Sequence, residues 1–89
     1  MADYIVIFDE ESDENGRRVA EFYPGAYEHH PKIFFVRSDE VSEAVASRLR
    51  IKGENRDTNG AVFRISSAYS GYTSKSLWEW LDVDGQSEY

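Results

Sequence analysis

The chain has no cysteine, only two prolines, a single methionine and fewer cations than anions. Without thiols there is no disulfide framework and no thiolate metal ligand, which suits a reducing compartment. No apolar run approaches the ~20 residues that cross a bilayer, and no cationic stretch with an apolar core follows Met1. The expectation is a soluble, cytoplasmic protein without membrane contact. Ten Lys and Arg against seventeen Asp and Glu leave a formal net charge of −7. Association with duplex DNA or an anionic membrane would begin against repulsion, so neither is the default partner; a local basic face remains open to nucleic acid.

What is present suffices for one domain. Of 89 residues, 40% are hydrophobic and 15% aromatic, which favours folding over disorder. Five Phe, six Tyr and two Trp supply much of the area to be buried, at roughly 25 cal/mol per Å² of apolar surface. No repeat or linker divides the chain. A single domain over 1–83 with a loose tail over 84–89 is expected.

"DYIVIF" is a continuous apolar run rich in β-branched residues, the pattern of a central strand buried on both faces. Asp9, Glu10, Glu11, Asp13 and Glu14 follow, with a polar turn at Asn15-Gly16. "RRVAEFY" sets Val19, Ala20, Phe22 and Tyr23 on one side of a helix that Ser12 or Asp13 can cap and Pro24-Gly25 ends. "AYEHHPKIFFVRS" reads as a hairpin with Pro31 at its turn. "SDEVSEAVASRLRIKG" is the clearest helix. Ser38 stands as N-cap, Val41, Ala44, Val45 and Leu49 form the stripe, and Gly53 closes it. "AVFRISS" is a strand with Val62 opposite Phe63 and Ile65. "AYSGY" is a connector, and "TSKSLWEWLDV" a last helix with Leu77, Trp80 and Leu81 inward.

This order implies an α+β fold, a ferredoxin-like β-α-β-β-α-β sandwich with an additional C-terminal helix and its helices on one face of the sheet. The other face would be open. Tyr4, Val6, Phe8, Phe34 and Phe63 are assigned to it and expected to form a homodimer interface, because a small protein seldom leaves such a patch wet.

The pieces "IVIFD", "RRVAEF", "GAYE" and "KIFFVRS" resemble the small CRISPR adaptation subunit, the non-integrase partner in spacer acquisition. The half from "FFVRSDEVSEAVASRLR" through "GAVFRISSAYSGYTSKSLWEWL" is similar to SinR-like proteins, in one superfamily with VapD-type and GhoS-type toxin–antitoxin proteins. The resemblance implies metal-dependent nuclease relatives in which a first-strand Asp from each subunit of a dimer flanks a shared cation. By position that residue is Asp9, with Arg17 and Arg18 at the basic helix start beside it. Three departures stand against catalysis: the acidic balance, the acids crowding after Asp9, and a final helix in place of a swapped strand.

Each candidate has a plainer reading. Carboxylates from two copies of Asp9 suit magnesium, yet Asp is also a common turn residue. Aligning Gly16 with the glycine of a calcium loop puts the final bidentate ligand on Phe22, so that loop fails, and "DVDG" leaves no chain for one. His29 and His30, adjacent on a strand, point to opposite faces. Arg48, Arg50, Lys52 and Arg56 form the only basic cluster, able to face phosphates or to complement the helix end. Tyr69, Tyr72, Trp78 and Trp80 can stack bases, but the tryptophans sit at core spacing. The serines lack a base partner, and no Gly-rich phosphate loop is present.

The leading expectation is therefore a small acidic homodimeric interaction or regulatory module. It would be non-catalytic and without a cofactor, in a bacterial or phage defence or toxin–antitoxin setting, with a basic protein as partner. The enzyme alternative is a Mg- or Mn-dependent endoribonuclease using paired Asp9. A third reading is nucleic-acid binding without cleavage through Arg17, Arg18, Arg48, Arg50, Lys52 and Arg56.

Overall fold

In a computed structural model of the chain, residues 1–66, 71 and 75–81 are described. The expected tail 84–89, "DVDG", Tyr69, Tyr72 and most of the "AYSGY" connector lie outside them. The elements run β1 (Ala2–Phe8), α1 (Asp13–Phe22), β2 (Tyr27–His30), β3 (Ile33–Ser38), α2 (Ser42–Arg48), β4 (Gly60–Ile65) and α3 (Lys75–Leu81). The four strands form one antiparallel sheet of order β2-β3-β1-β4. Two β-α-β units interleave: β3 lies between β1 and β2, and β1 lies between β3 and β4. The fold is α+β.

Alternation sorts the central strands into two faces. Tyr4, Val6 and Phe8 of β1 join Phe34 and Val36 of β3 beneath α1 and α2, where Val19, Tyr23, Val45 and Leu49 meet them. Phe8 and Phe34 pack edge to face, ring centres 5.8 Å apart. The odd-numbered Ile5, Ile33 and Phe35 turn the other way and meet Leu77 and Leu81 of α3, with Tyr27 and Ile65 beside them. Helices therefore lie on both sides.

This corrects the expected open face. Tyr4, Val6, Phe8 and Phe34 are 0–4% exposed within the single chain and offer nothing to a second copy. Of the five residues assigned to a dimer interface only Phe63, on the α3 side, is exposed. The unbroken apolar run of β1 already demanded cover on both faces, and the last helix supplies it.

Polar clips hold α3 down. Arg37, paired in register with Asp3, donates from Nε to its Oδ1 (2.6 Å) and from a terminal nitrogen to the Trp80 carbonyl (3.2 Å), while its guanidinium lies 4.2 Å from the Trp80 ring centre. The Trp80 indole N–H donates to the Gly25 carbonyl at 2.9 Å.

Ser12 caps the first helix as expected, but the turn after it and the start of α2 differ from expectation. No turn breaks the chain at Asn15-Gly16; α1 begins at Asp13, capped by Ser12, whose Oγ accepts the Asn15 N–H. Ala20 and Phe22 face solvent, leaving Val19 and Tyr23 to enter the core. Ser38 ends β3 instead of capping α2. Its Oγ accepts the Glu40 N–H at 3.0 Å, and α2 starts only after Val41, without a side-chain cap.

Gly53 is not the residue that closes α2. The Ile51 N–H reaches the Ala46 carbonyl (2.9 Å) and the Arg50 N–H the Ser47 carbonyl (3.1 Å), the paired bonds of a Schellman closure. Arg50 occupies its left-handed position, φ 62°. At the far end of the sheet, Gly60 meets β1 so closely that a Cβ would lie 2.3 Å from the Ile7 carbonyl oxygen.

Two stability measurements follow. An L side chain in the left-handed region costs about 1–2 kcal/mol, while glycine carries roughly 0.5–1 kcal/mol of backbone entropy and the exposed Arg50–Asp57 pair little. Arg50→Gly should leave the urea midpoint unchanged or raised, and Arg50→Val, β-branched, should lower stability by about 1–2 kcal/mol. Phe8→Ala should cost about 3–5 kcal/mol, a large share of the ~5–15 kcal/mol typical of a domain.

Candidate functional site

The loop 9–12 carries the acids that open the question of function. The Asp9 N–H donates to the Asn59 carbonyl at 2.9 Å, fixing the main chain one residue past β1. Its carboxylate is exposed, as are Glu10, Glu11 and Asp13, and none of the four has an ion-pair or side-chain hydrogen-bond partner among the described residues. The described residues of one chain bring no three metal-ligating side chains together. A shared ion would need Asp9 from each of two copies.

The candidate cations have a different fate. Arg18 is 8% exposed and turned into the molecule. It donates to both carboxylate oxygens of Asp57 (3.2 and 3.3 Å) and to Glu14 (2.8 Å). Arg50 meets the same Asp57 at 3.3 Å. Arg48 pairs with Glu40, Lys52 lies 3.6 Å from Glu43, and Arg56 donates to Asn59. The expected basic face is thus divided among internal partners. Of the six, Arg17 alone has no carboxylate or hydrogen-bond partner among the described residues.

The histidines also separate. His29 packs against Tyr27 and Phe35, and His30 Nδ1 accepts the Lys32 N–H at 3.2 Å within the turn. They share no site.

Glu40 is a structural hub that the sequence did not single out. Its Oε1 accepts from Tyr23 (3.0 Å) and Ser38 (3.2 Å), both oxygens accept from Arg48 Nε (3.3 and 3.2 Å), and its carbonyl accepts the Tyr4 hydroxyl. The Arg48 guanidinium holds the Glu40 carboxyl below its ordinary range, with Tyr23 and Ser38 adding to the effect against a smaller opposing desolvation. Tyr23 is pushed up, first by burial and then by the Glu40 charge it donates to.

A groove runs between α1 and the β2–β3 hairpin. Its larger part holds about 460 Å³, and a smaller part of about 150 Å³ shares Gly16, Ala20, Glu28 and Phe34 with it. Glu11 and Asp13 stand at one end, Glu28 on the wall, and Arg17 also lines it. Glu28 has no side-chain partner among the described residues. Sequence reasoning missed this groove: Glu28 and Phe34 are cross-strand partners, and nothing local in "YEHH" marks the helix that will lie beside them.

Comparisons with protein-family models, curated proteins and solved structures gave no match.

The Glu40 cluster makes a pH prediction. Because the folded-state value is lowered, its contribution to stability is complete above the ordinary glutamate value of about 4.5 and is lost as pH falls through the lower folded value. Glu40→Gln should be less stable than wild type at pH 7 in urea titrations, and the gap should narrow as pH falls below the ordinary glutamate value of about 4.5. A gap that stays constant with pH would refute the assignment.

Proposed function

We propose that the chain is a small acidic interaction module of ferredoxin-like architecture, working as a homodimer and engaging a basic protein partner, without chemistry of its own. The strand order β2-β3-β1-β4 with its two interleaved β-α-β units supports the architecture. The resemblance of its segments to defence and toxin–antitoxin proteins suggests the setting.

One observation carries the functional reading: among the described residues six of the ten Lys and Arg face a carboxylate of the same chain, while Asp9, Glu10, Glu11 and Asp13 after β1 have no cation facing them. Arg18, Arg48, Arg50 and Lys52 each face a carboxylate of the same chain. Asp9, Glu10, Glu11, Asp13, Glu21 and Glu28 have no cationic partner among the described residues. The outward field is therefore negative where the β1–α1 loop and α1 meet solvent, which attracts basic proteins and repels phosphate backbones.

Self-association, with Tyr4, Val6, Phe8 and Phe34 inside, falls to the β1–β4 half of the sheet. Phe63 is 54% and Ile7 36% exposed there, beside the outer edge of β4. The nuclease reading is kept by a single fact, the exposed and unengaged carboxylate of Asp9 at the end of the first strand. It requires metal-dependent cleavage of single-stranded RNA that disappears in Asp9→Asn while the fold survives.

Two measurements test the proposal. Retention of a basic protein such as lysozyme should weaken steeply between low and physiological salt, and a salt-indifferent or absent interaction defeats the charge argument. Sedimentation should give a dimer that Phe63→Asp converts to monomer; a wild-type monomer at high concentration removes the self-association.

A further inference from the structure

We infer that the groove between α1 and β2 receives a basic, partly apolar segment of the protein partner, an arginine or lysine lying with its stem on Ala20 and Pro31 and its head at Glu28. The inference rests on the acidic-module reading and adds where the partner docks and what it must carry.

The groove has the two parts such a side chain needs. Its apolar surface is the Ala20 methyl and Pro31, both exposed, with the edge of the buried Phe34 ring beneath them. Gly16 adds no side chain to this wall; a Cβ there would sit in ordinary contact with the Phe34 ring, at 3.7 Å. The acids stand around this surface rather than on it, Glu28 from the strand and Glu11 and Asp13 from the loop. A long cationic side chain covers apolar surface with its methylenes and keeps its charge at the edge. A wholly apolar segment would leave the carboxylates facing it without compensation, and an anionic one would meet three of them.

The geometry also limits the mode of contact. β2 is an edge strand, which invites main-chain addition, but it is four residues long, shifts register between Glu28 and His30, and ends at Pro31. Such an edge is blunted against a further strand. Recognition is thus by side chains entering the groove. At about 460 Å³ the larger part sits within the roughly 300–1,000 Å³ of small-ligand sites, room for one or two side chains of a segment lying across it.

Arg17 sets the sign of the test. It lines the same groove, so it repels a basic occupant and would attract a phosphate or acidic one. The probe is a short blocked peptide of alternating arginine and leucine, titrated into the full chain and followed by amide NMR, with an aspartate–leucine peptide as control. Shifts should centre on Gly16, Ala20, Glu28 and Phe34. Glu28→Gln should weaken binding roughly threefold and Arg17→Ala should tighten it roughly threefold. Ala20→Gln, an exposed helix position given a good helix former, should fill the groove and weaken binding about tenfold. Arginine-peptide binding that is salt-sensitive but indifferent to Ala20→Gln and Arg17→Ala overturns the groove and leaves the acidic module standing. Preference for the aspartate peptide, weakened by Arg17→Ala, overturns the groove's sign. No binding of the basic peptide at any salt overturns both.

Discussion

The constraint on which the structure rests is that its two central strands are apolar on both faces. Tyr4, Val6, Phe8, Phe34 and Val36 look one way, and Ile5, Ile33 and Phe35 the other. A sheet of this kind is stable only as the middle layer of three. The first two helices arise from the β-α-β connections and necessarily cover one side. The second side needs an element outside that repeat, and α3, with only seven residues, covers the β2–β3 half through Leu77, Leu81 and the tryptophans. The remaining half keeps Phe63 and Ile7 at the surface.

Charge is organised by the same economy of size. A chain of 89 residues has little interior, so its elements are tied at their ends by ion pairs as well as by packing. Asp57 collects Arg18 from α1 and Arg50 from the end of α2; Glu40 collects Arg48 from α2 and Tyr23 from α1. The tie to Asp57 withdraws Arg18 from the surface, while Arg48 and Arg50 stay about half exposed with a carboxylate beside them. With seventeen acids against ten Lys and Arg, what is left outside is a surface of net negative charge in which Arg17 and Arg64 also stand, the acids being most concentrated where the β1–α1 loop borders the α1–β2 groove.

Much of the fold was legible in the residues. The apolar run of β1, the hairpin around Pro31 and the inward Leu77 and Leu81 stand where their patterns put them, as do Val45 and Leu49 of the expected α2 stripe, whereas Val41 precedes the helix and is 69% exposed. Local signals failed where a tertiary partner overrode them. Asn15-Gly16 looks like a turn, but the Asn15 side-chain amide donates to the Thr58 hydroxyl across the fold (3.1 Å) and Ser12 caps a helix that runs through both residues. Ser38 looks like a helix cap, but the ladder with Ala2 holds it in β3. The basic cluster meets carboxylates only seven to nine residues away, Glu40 for Arg48, Asp57 for Arg50 and Glu43 for Lys52, which its own charge pattern did not reveal; Arg18 was misjudged because its partner Asp57 lies far away in the chain. The groove was invisible for the same reason, and the open sheet face was an error of topology: counting β-α-β units left the last helix without a place.

The closure of α2 reaches further than its own helix. The Arg50 carbonyl accepts the N–H groups of Asp57 and Thr58, at 3.0 and 3.3 Å, and those residues are the ones that grip Arg18 and Asn15 on α1. Segment 51–59 looks like an ordinary surface connection, where insertions and deletions usually accumulate. Here it behaves as a spacer of set gauge: lengthening it by one residue would shift the two anchoring residues relative to α1 and with them the mouth of the groove. Among homologues this loop should tolerate exchange of side chains far more readily than any change in its length.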